Sequence, residues 1–227
     1  MILGSENKLS RKNLLLVFFL YFILTILVTY PLIFNFSKGV LGTQGQEDSR
    51  IYLWEISQFG EKIFKEHANP LTAENIFYPR GLHFQDMNFT LSAIIVSPLG
   101  ILLNPTIAYN FWIFFGYVAA GFFAFLLVFH LFKNIWASFI VGAIFSFSSY
   151  HYQVAYNGEL ELSGIFWFPL ILYFLILFLE SKQIKYAIAL SVSFVLAALS
   201  SGYYGAFSIL LIAIFTIFYF IFNKMCI

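Results

Sequence analysis

The chain has 227 residues and a formal net charge of +1; 61% of its residues are hydrophobic, only 10% are charged, and 31 are Phe. A soluble domain carries about 25% charged residues, so this composition excludes a water-facing exterior, and the lack of a basic tract argues against a nucleic-acid partner. A single cysteine, Cys226, excludes an internal disulfide and a cysteine metal cluster, and no short alternating segments of a lipid-facing barrel are present.

In chain order, Lys8, Arg11 and Lys12 precede an apolar run over 14–34. That run is too long for a signal-peptide core and lacks a small-residue cleavage site, so it reads as an uncleaved first transmembrane helix. The next stretch, 35–106, opens with GQEDSRIYLWE at 45–55. Tyr52, Ile56, Phe59 and Ile63 recur at helical spacing opposite Glu55, Gln58, Lys62 and Glu66, which predicts an amphipathic helix lying at the membrane surface. NPLTAEN (69–75) breaks it, IFYPRG (76–81) reads as a turn, and 91–104, interrupted by SPLG (97–100), dips into the apolar edge without crossing.

Further apolar segments cover 107–132, 136–150, 161–179, 184–200 and 203–222. Six crossings with the N-terminus inside place Lys133, Lys182, Lys185 and Lys224 in the cytoplasm, as positive-inside bias requires. The expected fold is therefore all-α: one domain over 1–227, a polytopic bundle of about six spanning helices, with 35–106 as a long external loop holding interfacial helices. Both termini lie in the cytoplasm, and the lipid bilayer is the immediate partner. Seven acids of the long loop, together with Glu159 and Glu161, then gather on the outer face beside HYQVAYNGELE (151–161) and SSGYYG (200–205).

These outer residues are the candidates for chemistry. Asp48 or Ser49 suits a helix N-cap; alternatively Asp48 is a general base at a membrane cavity, and its neighbour Glu47 helps hold a divalent metal through oxygen. Glu159 and Glu161 fit the dipole of a helix start, yet carboxylates so near hydrocarbon usually carry function, here one of them as a metal ligand or as a hydrogen-bond acceptor for a sugar. Arg80 suits a phosphate, or snorkels to the interface. His83, Asp86 and His151 are metal or phosphate contacts if they are not structural. Tyr52, Trp54, Tyr78, Tyr203 and Tyr204 fit an interfacial aromatic belt, with sugar stacking as a second use.

The order of EDSRIYLWE (47–55), NIFYPRG (75–81), PLGILLNPTIAYN (98–110), FSFSSYH (145–151), GELELSGIFWFPL (158–170) and ALSSGYYGAF (198–207) resembles the membrane-integral GT-C glycosyltransferases, nearest to large bacterial members of that superfamily. The resemblance implies a bacterial plasma-membrane enzyme that takes a sugar from a polyprenyl-phosphate donor on the outer face. It implies Asp48, or Glu47 in a shifted register, as the loop acid that activates the acceptor. Arg80, Glu159, Glu161, His151 and Tyr203 would contact the substrate. Such enzymes are typically longer, with a soluble C-terminal portion, so a separate C-terminal half or partner protein is expected with this chain. The competing expectations are a non-catalytic lipid-sugar binder or transport component, and an inactive fragment.

Overall fold

The structure is a computed structural model that describes residues 9–41, 47–74, 76–83 and 91–224. Helices make up nearly all of it: α1 (Arg11–Val28), α2 (Glu47–Gly60), α3 (Leu91–Leu102), α4 (Pro105–Phe132), α5 (Ile135–Ser146), α6 (Ser149–Asn157), α7 (Trp167–Ser181), α8 (Ile184–Ser200) and α9 (Gly202–Lys224). A two-residue antiparallel pair, β1 (Thr72–Ala73) and β2 (Leu82–His83), closes the turn that carries Arg80. Among the described residues, four helical segments are long and apolar enough to cross a membrane: Arg11–Val28, Pro105–Phe132, Leu160–Ser181 and Gly202–Phe222. The other two expected crossings correspond to α5, with 12 residues, and α8, with 17.

Short polar residues set the helix boundaries. The side chains of Ser10, Asn104, Asn134 and Ser148 each accept a backbone N–H in the first turn of the helix that follows, the usual N-cap arrangement. Lys133 and Lys182 adopt left-handed backbone at the ends of α4 and α7, with φ of 54° and 56°, and so turn the chain into the next helix within two residues. The apolar segment expected over 136–150 is two helices, because Phe147 ends α5 and Ser148 caps α6.

Pro98 does not interrupt its segment; it lies inside α3. A proline cannot donate to the carbonyl four residues back, and here the Ser97 hydroxyl donates to that carbonyl, Ile94 O, at 2.8 Å.

Contacts between side chains fix which helix ends meet. The Trp167 indole donates to Ser200 Oγ at 3.2 Å, the Tyr204 hydroxyl donates to Leu162 O, and Asn110 Nδ2 donates to Phe36 O and Gly39 O at 2.9 and 2.7 Å. The chain after α1, the starts of α4, α7 and α9, and the end of α8 therefore share one end of the bundle. At the other end, His130 of α4 lies 2.9 Å from Glu180 of α7, and the Tyr219 hydroxyl of α9 reaches Leu179 O at 3.5 Å.

The middle of the bundle is close-packed through small residues. Tyr21 of α1 is fully buried, and its hydroxyl donates to Phe139 O of α5 at 2.9 Å. A Cβ at Gly121 of α4 would meet its ring at 2.6 Å, and a Cβ at Gly142 of α5 would meet Gly121 O at 2.6 Å. Glycine at these positions is what lets the three helices converge on one tyrosine.

α2 does not lie free on a surface. It packs on α3 and α4, and Gly60 approaches Ile101 so closely that a Cβ would meet its side chain at 2.5 Å. Ile56 and Phe59 are buried as the helical spacing predicts, but Glu55 and Gln58, expected on the solvated face, are buried too, with 1% and 7% exposure. A single-sided amphipathic pattern fails here because two helices cover α2 from different directions.

Candidate functional site

The site forms where the start of α2 meets the connection from α6 to α7. Gly158 ends α6 with φ of 82°, a left-handed conformation that favours glycine. A Cβ there would lie 2.9 Å from both Cβ and the backbone nitrogen of Ser49. Asp48 and Glu159 are the chain neighbours of these two touching residues, so the contact brings their backbones together. The chain then enters a 3-10 turn, Leu160–Ser163, which carries Glu161.

That turn is held from three sides. A Cβ on Gly116 of α4 would meet Ser163 O at 2.7 Å, Tyr204 of α9 donates to Leu162 O, and His151 Nε2 lies 3.2 Å from Ser163 O. Glu161 is thereby fixed in a nearly buried position, 9% exposed, while Glu159 is half-buried and Asp48 exposed. Asn157 Nδ2 donates to Glu159 Oε1 at 3.4 Å, a long contact.

The three carboxylates act on one another and on two tyrosines. Glu161 lies within electrostatic reach of both Glu159 and Asp48, and the charges of Asp48 and Glu159 reach the Tyr109 hydroxyl on α4. Tyr52, one turn beyond Asp48, is held far above the ordinary phenol range, first by burial and then by the Glu161, Glu55 and Asp48 carboxylates. It stays a protonated donor at any physiological pH. Tyr109 is fully buried, and its hydroxyl has no hydrogen-bond partner among the described residues. Among the described residues, no three His, Cys, Asp or Glu side chains are placed to hold a metal ion together.

The other expected site residues lie elsewhere or have other work. The helix starts at Glu47, so Asp48 and Ser49 sit inside its first turn and neither is its N-cap. The Glu47 side chain, the His83 side chain and Asp86 fall outside the described residues. Arg80 is exposed on the turn between β1 and β2.

His151, expected to touch substrate, is fully buried, with Nδ1 2.8 Å from Ser146 O and Nε2 3.2 Å from Ser163 O. Both ring nitrogens face main-chain carbonyls, so neither is left for a ligand; the ring is a brace between α5 and the 3-10 turn. Burial outweighs the two carbonyls and lowers its pKa to about 4. Tyr203 is 61% exposed at the start of α9, whereas its neighbour Tyr204 is buried against the turn.

α3 and the start of α4 form an apolar groove of about 640 Å³, lined by Val96, Leu99, Ile107, Phe111, Trp112 and Phe115 among others. α3 also touches the 3-10 turn that carries Glu161. Sequence reasoning missed Tyr109 and the Ser49–Gly158 contact. A polar pair, Tyr109–Asn110, inside an otherwise apolar run was the available signal for the first. Nothing local marks a contact between residues so far apart.

Compared with protein families, curated proteins and solved structures, the chain matches none. Its function has to be argued from the site itself.

Proposed function

We propose that the chain is a membrane glycosyltransferase that moves a sugar from a polyprenyl-phosphate donor to an acceptor at the acid-lined end of the bundle. The observation that carries this reading is the Ser49–Gly158 contact, which gathers Asp48, Glu159 and Glu161 around Tyr52 and Tyr109. Asp48 is the exposed member, and so the one an acceptor hydroxyl can reach. Its carboxylate takes the hydroxyl proton as the oxygen bonds to the anomeric carbon. The bond from that carbon to the phosphate oxygen breaks, and polyprenyl phosphate leaves with the electron pair. General-base help of this kind contributes about 10²–10⁴ in rate.

The pairing of helix ends supports six crossings. Ser49 and Gly158 meet at one end, with α4 and α5 between them, and Leu162 and Tyr204 meet there with α7 and α8 between them. An even number of passes separates each pair, so α5 and α8 each return the chain to the same end despite their length. Positive-inside bias then puts the acids outside and both termini in the cytoplasm of a bacterial plasma membrane. The apolar groove between α3 and α4 suits the polyprenyl chain. It also favours a second reading, a carrier that binds lipid-linked sugar without turning it over.

Mass spectrometry of lipids retained by the purified chain tests the proposal. An enriched polyprenyl-phosphate sugar, held by wild type and accumulated in Asp48→Asn, is the expected result. Equal accumulation in both proteins favours the carrier, and bulk phospholipid alone in both contradicts either reading.

A further inference from the structure

We infer that the turn between β1 and β2 is a lipid anchor, which seats the Phe77 and Tyr78 rings in the interfacial layer of the bilayer at the acid-bearing end of the bundle. The inference rests on the membrane-spanning fold and not on the transfer reaction.

The base of the turn belongs to the protein interior. Ala73 of β1 is fully buried in the cluster that also holds Ile56 and Phe59 of α2 and Ala108 of α4, and Leu71 and Leu82 pack against that cluster. Ala73 pairs with Leu82 across the two strands. At the tip, the backbone N–H groups of Arg80 and Gly81 both donate to Phe77 O, at 3.1 and 3.2 Å. Gly81 takes left-handed backbone, with φ of 74°, a conformation that glycine favours. The tip is thus shaped by its own backbone on a fixed base.

What that shape presents is apolar. Phe77 is 70% and Tyr78 88% exposed, the latter the highest value among the described large hydrophobic residues. Phe77 also has left-handed backbone, with φ of 56°, which costs a residue with a Cβ about 1–2 kcal/mol. A ring so exposed gains little packing within the chain to offset that cost, so the compensating contact comes from outside it.

Position and area select the partner. The turn lies between α1 and α4 in the chain, and the end of α1 and the start of α4 share one end of the bundle. α2, with 14 residues, and α3, with 12, are about 21 and 18 Å long. Both fall short of the ~30 Å hydrocarbon core, so neither helix carries the turn to the other side. Two aromatic side chains bury about 300–500 Å² between them, below the roughly 800 Å² per partner of a stable protein interface. A bilayer requires no such matched area, and its interface favours an amphipathic ring such as tyrosine.

The test uses the full chain reconstituted in phosphatidylcholine bilayers. Phe77 and Tyr78 are replaced, one at a time, by a phenylalanine bearing a photoactivatable diazirine, and the same probe is placed at Lys65, which is exposed beyond the end of α2. After illumination, mass spectrometry should find phosphatidylcholine adducts at positions 77 and 78 at least tenfold above those at Lys65. Because both rings are exposed, neither replacement should change the melting temperature. Enrichment at either ring supports the anchor. No enrichment over Lys65 at either, or crosslinks to a second copy of the chain in place of lipid, overturns it.

Discussion

Ser49 and Gly158 touch so closely that a Cβ on the glycine would sit 2.9 Å from the serine backbone nitrogen. Through this contact the first helical turn of α2 packs directly against the start of the α6–α7 connection. Gly158 meets two requirements at once: left-handed backbone and space for a neighbouring helix.

Gly158→Ala violates both requirements and should destabilise the protein by about 1–3 kcal/mol. A larger consequence is expected at the site, because α2 has to shift away from Glu159. Thermal unfolding together with mass spectrometry of the retained lipids checks this. An alanine variant with wild-type melting and wild-type lipid retention would show that the two segments are not in contact.

His151 should make the stability of the protein pH-dependent. Its pKa is about 4 in the fold against 6.5 ordinarily, so the folded state binds its proton less readily than the unfolded state does. The contribution is complete above pH 6.5 and is lost as pH falls from 6.5 towards 4, up to about 3 kcal/mol. Chemical denaturation across that range, compared between wild type and His151→Gln, isolates the effect from nearby carboxylates. The variant should be less stable at neutral pH but show a shallower loss on acidification. Parallel curves would mean that the imidazole takes up its proton as readily in the fold as in the unfolded chain.

The convergence of α1, α4 and α5 on Tyr21 predicts sensitivity at two glycines that lie far from any acid. Gly142→Ala should cost about 1–3 kcal/mol through overpacking, because its Cβ would meet Gly121 O at 2.6 Å. Tyr21→Phe removes one hydrogen bond, to Phe139 O, and should cost about 1 kcal/mol. Melting temperatures of the two variants give the comparison; Gly142→Ala melting as high as wild type would contradict this packing.

Much of the bundle was legible because apolar runs in a chain this hydrophobic are unambiguous. The segment expected over 184–200 is α8, and that expected over 107–132 is α4 with two extra residues at its capped start. The split of 136–150 was less legible, since the break depends on Ser148 accepting from His151 N rather than on a change in hydropathy. Pro98 misled for a related reason, because the repair comes from the adjacent Ser97 hydroxyl. Glu55 and Gln58 misled because periodicity assumes one covered face, and α2 has two.

At the site, Asp48, Glu159 and Glu161 were visible as acids in an acid-poor chain, and the Ser49–Gly158 contact joins the segments that carry them. Which tyrosines join them was not visible. Tyr203 and Tyr204 are indistinguishable in sequence, and only the direction each takes at the start of α9 separates the exposed ring from the buried one. His151 was singled out for its chemistry, whereas both of its nitrogens serve the backbone.

The most direct test is the rate at which the chain, reconstituted in a bilayer with a polyprenyl-phosphate sugar and with glycerol as the hydroxyl acceptor, releases polyprenyl phosphate, measured for wild type and for Asp48→Asn. Asparagine keeps the shape of the side chain and removes the base, so folding and donor retention should persist while release slows at least ~100-fold. Release by Asp48→Asn at the wild-type rate would contradict the role given to Asp48, and no release by wild type would contradict the transferase itself.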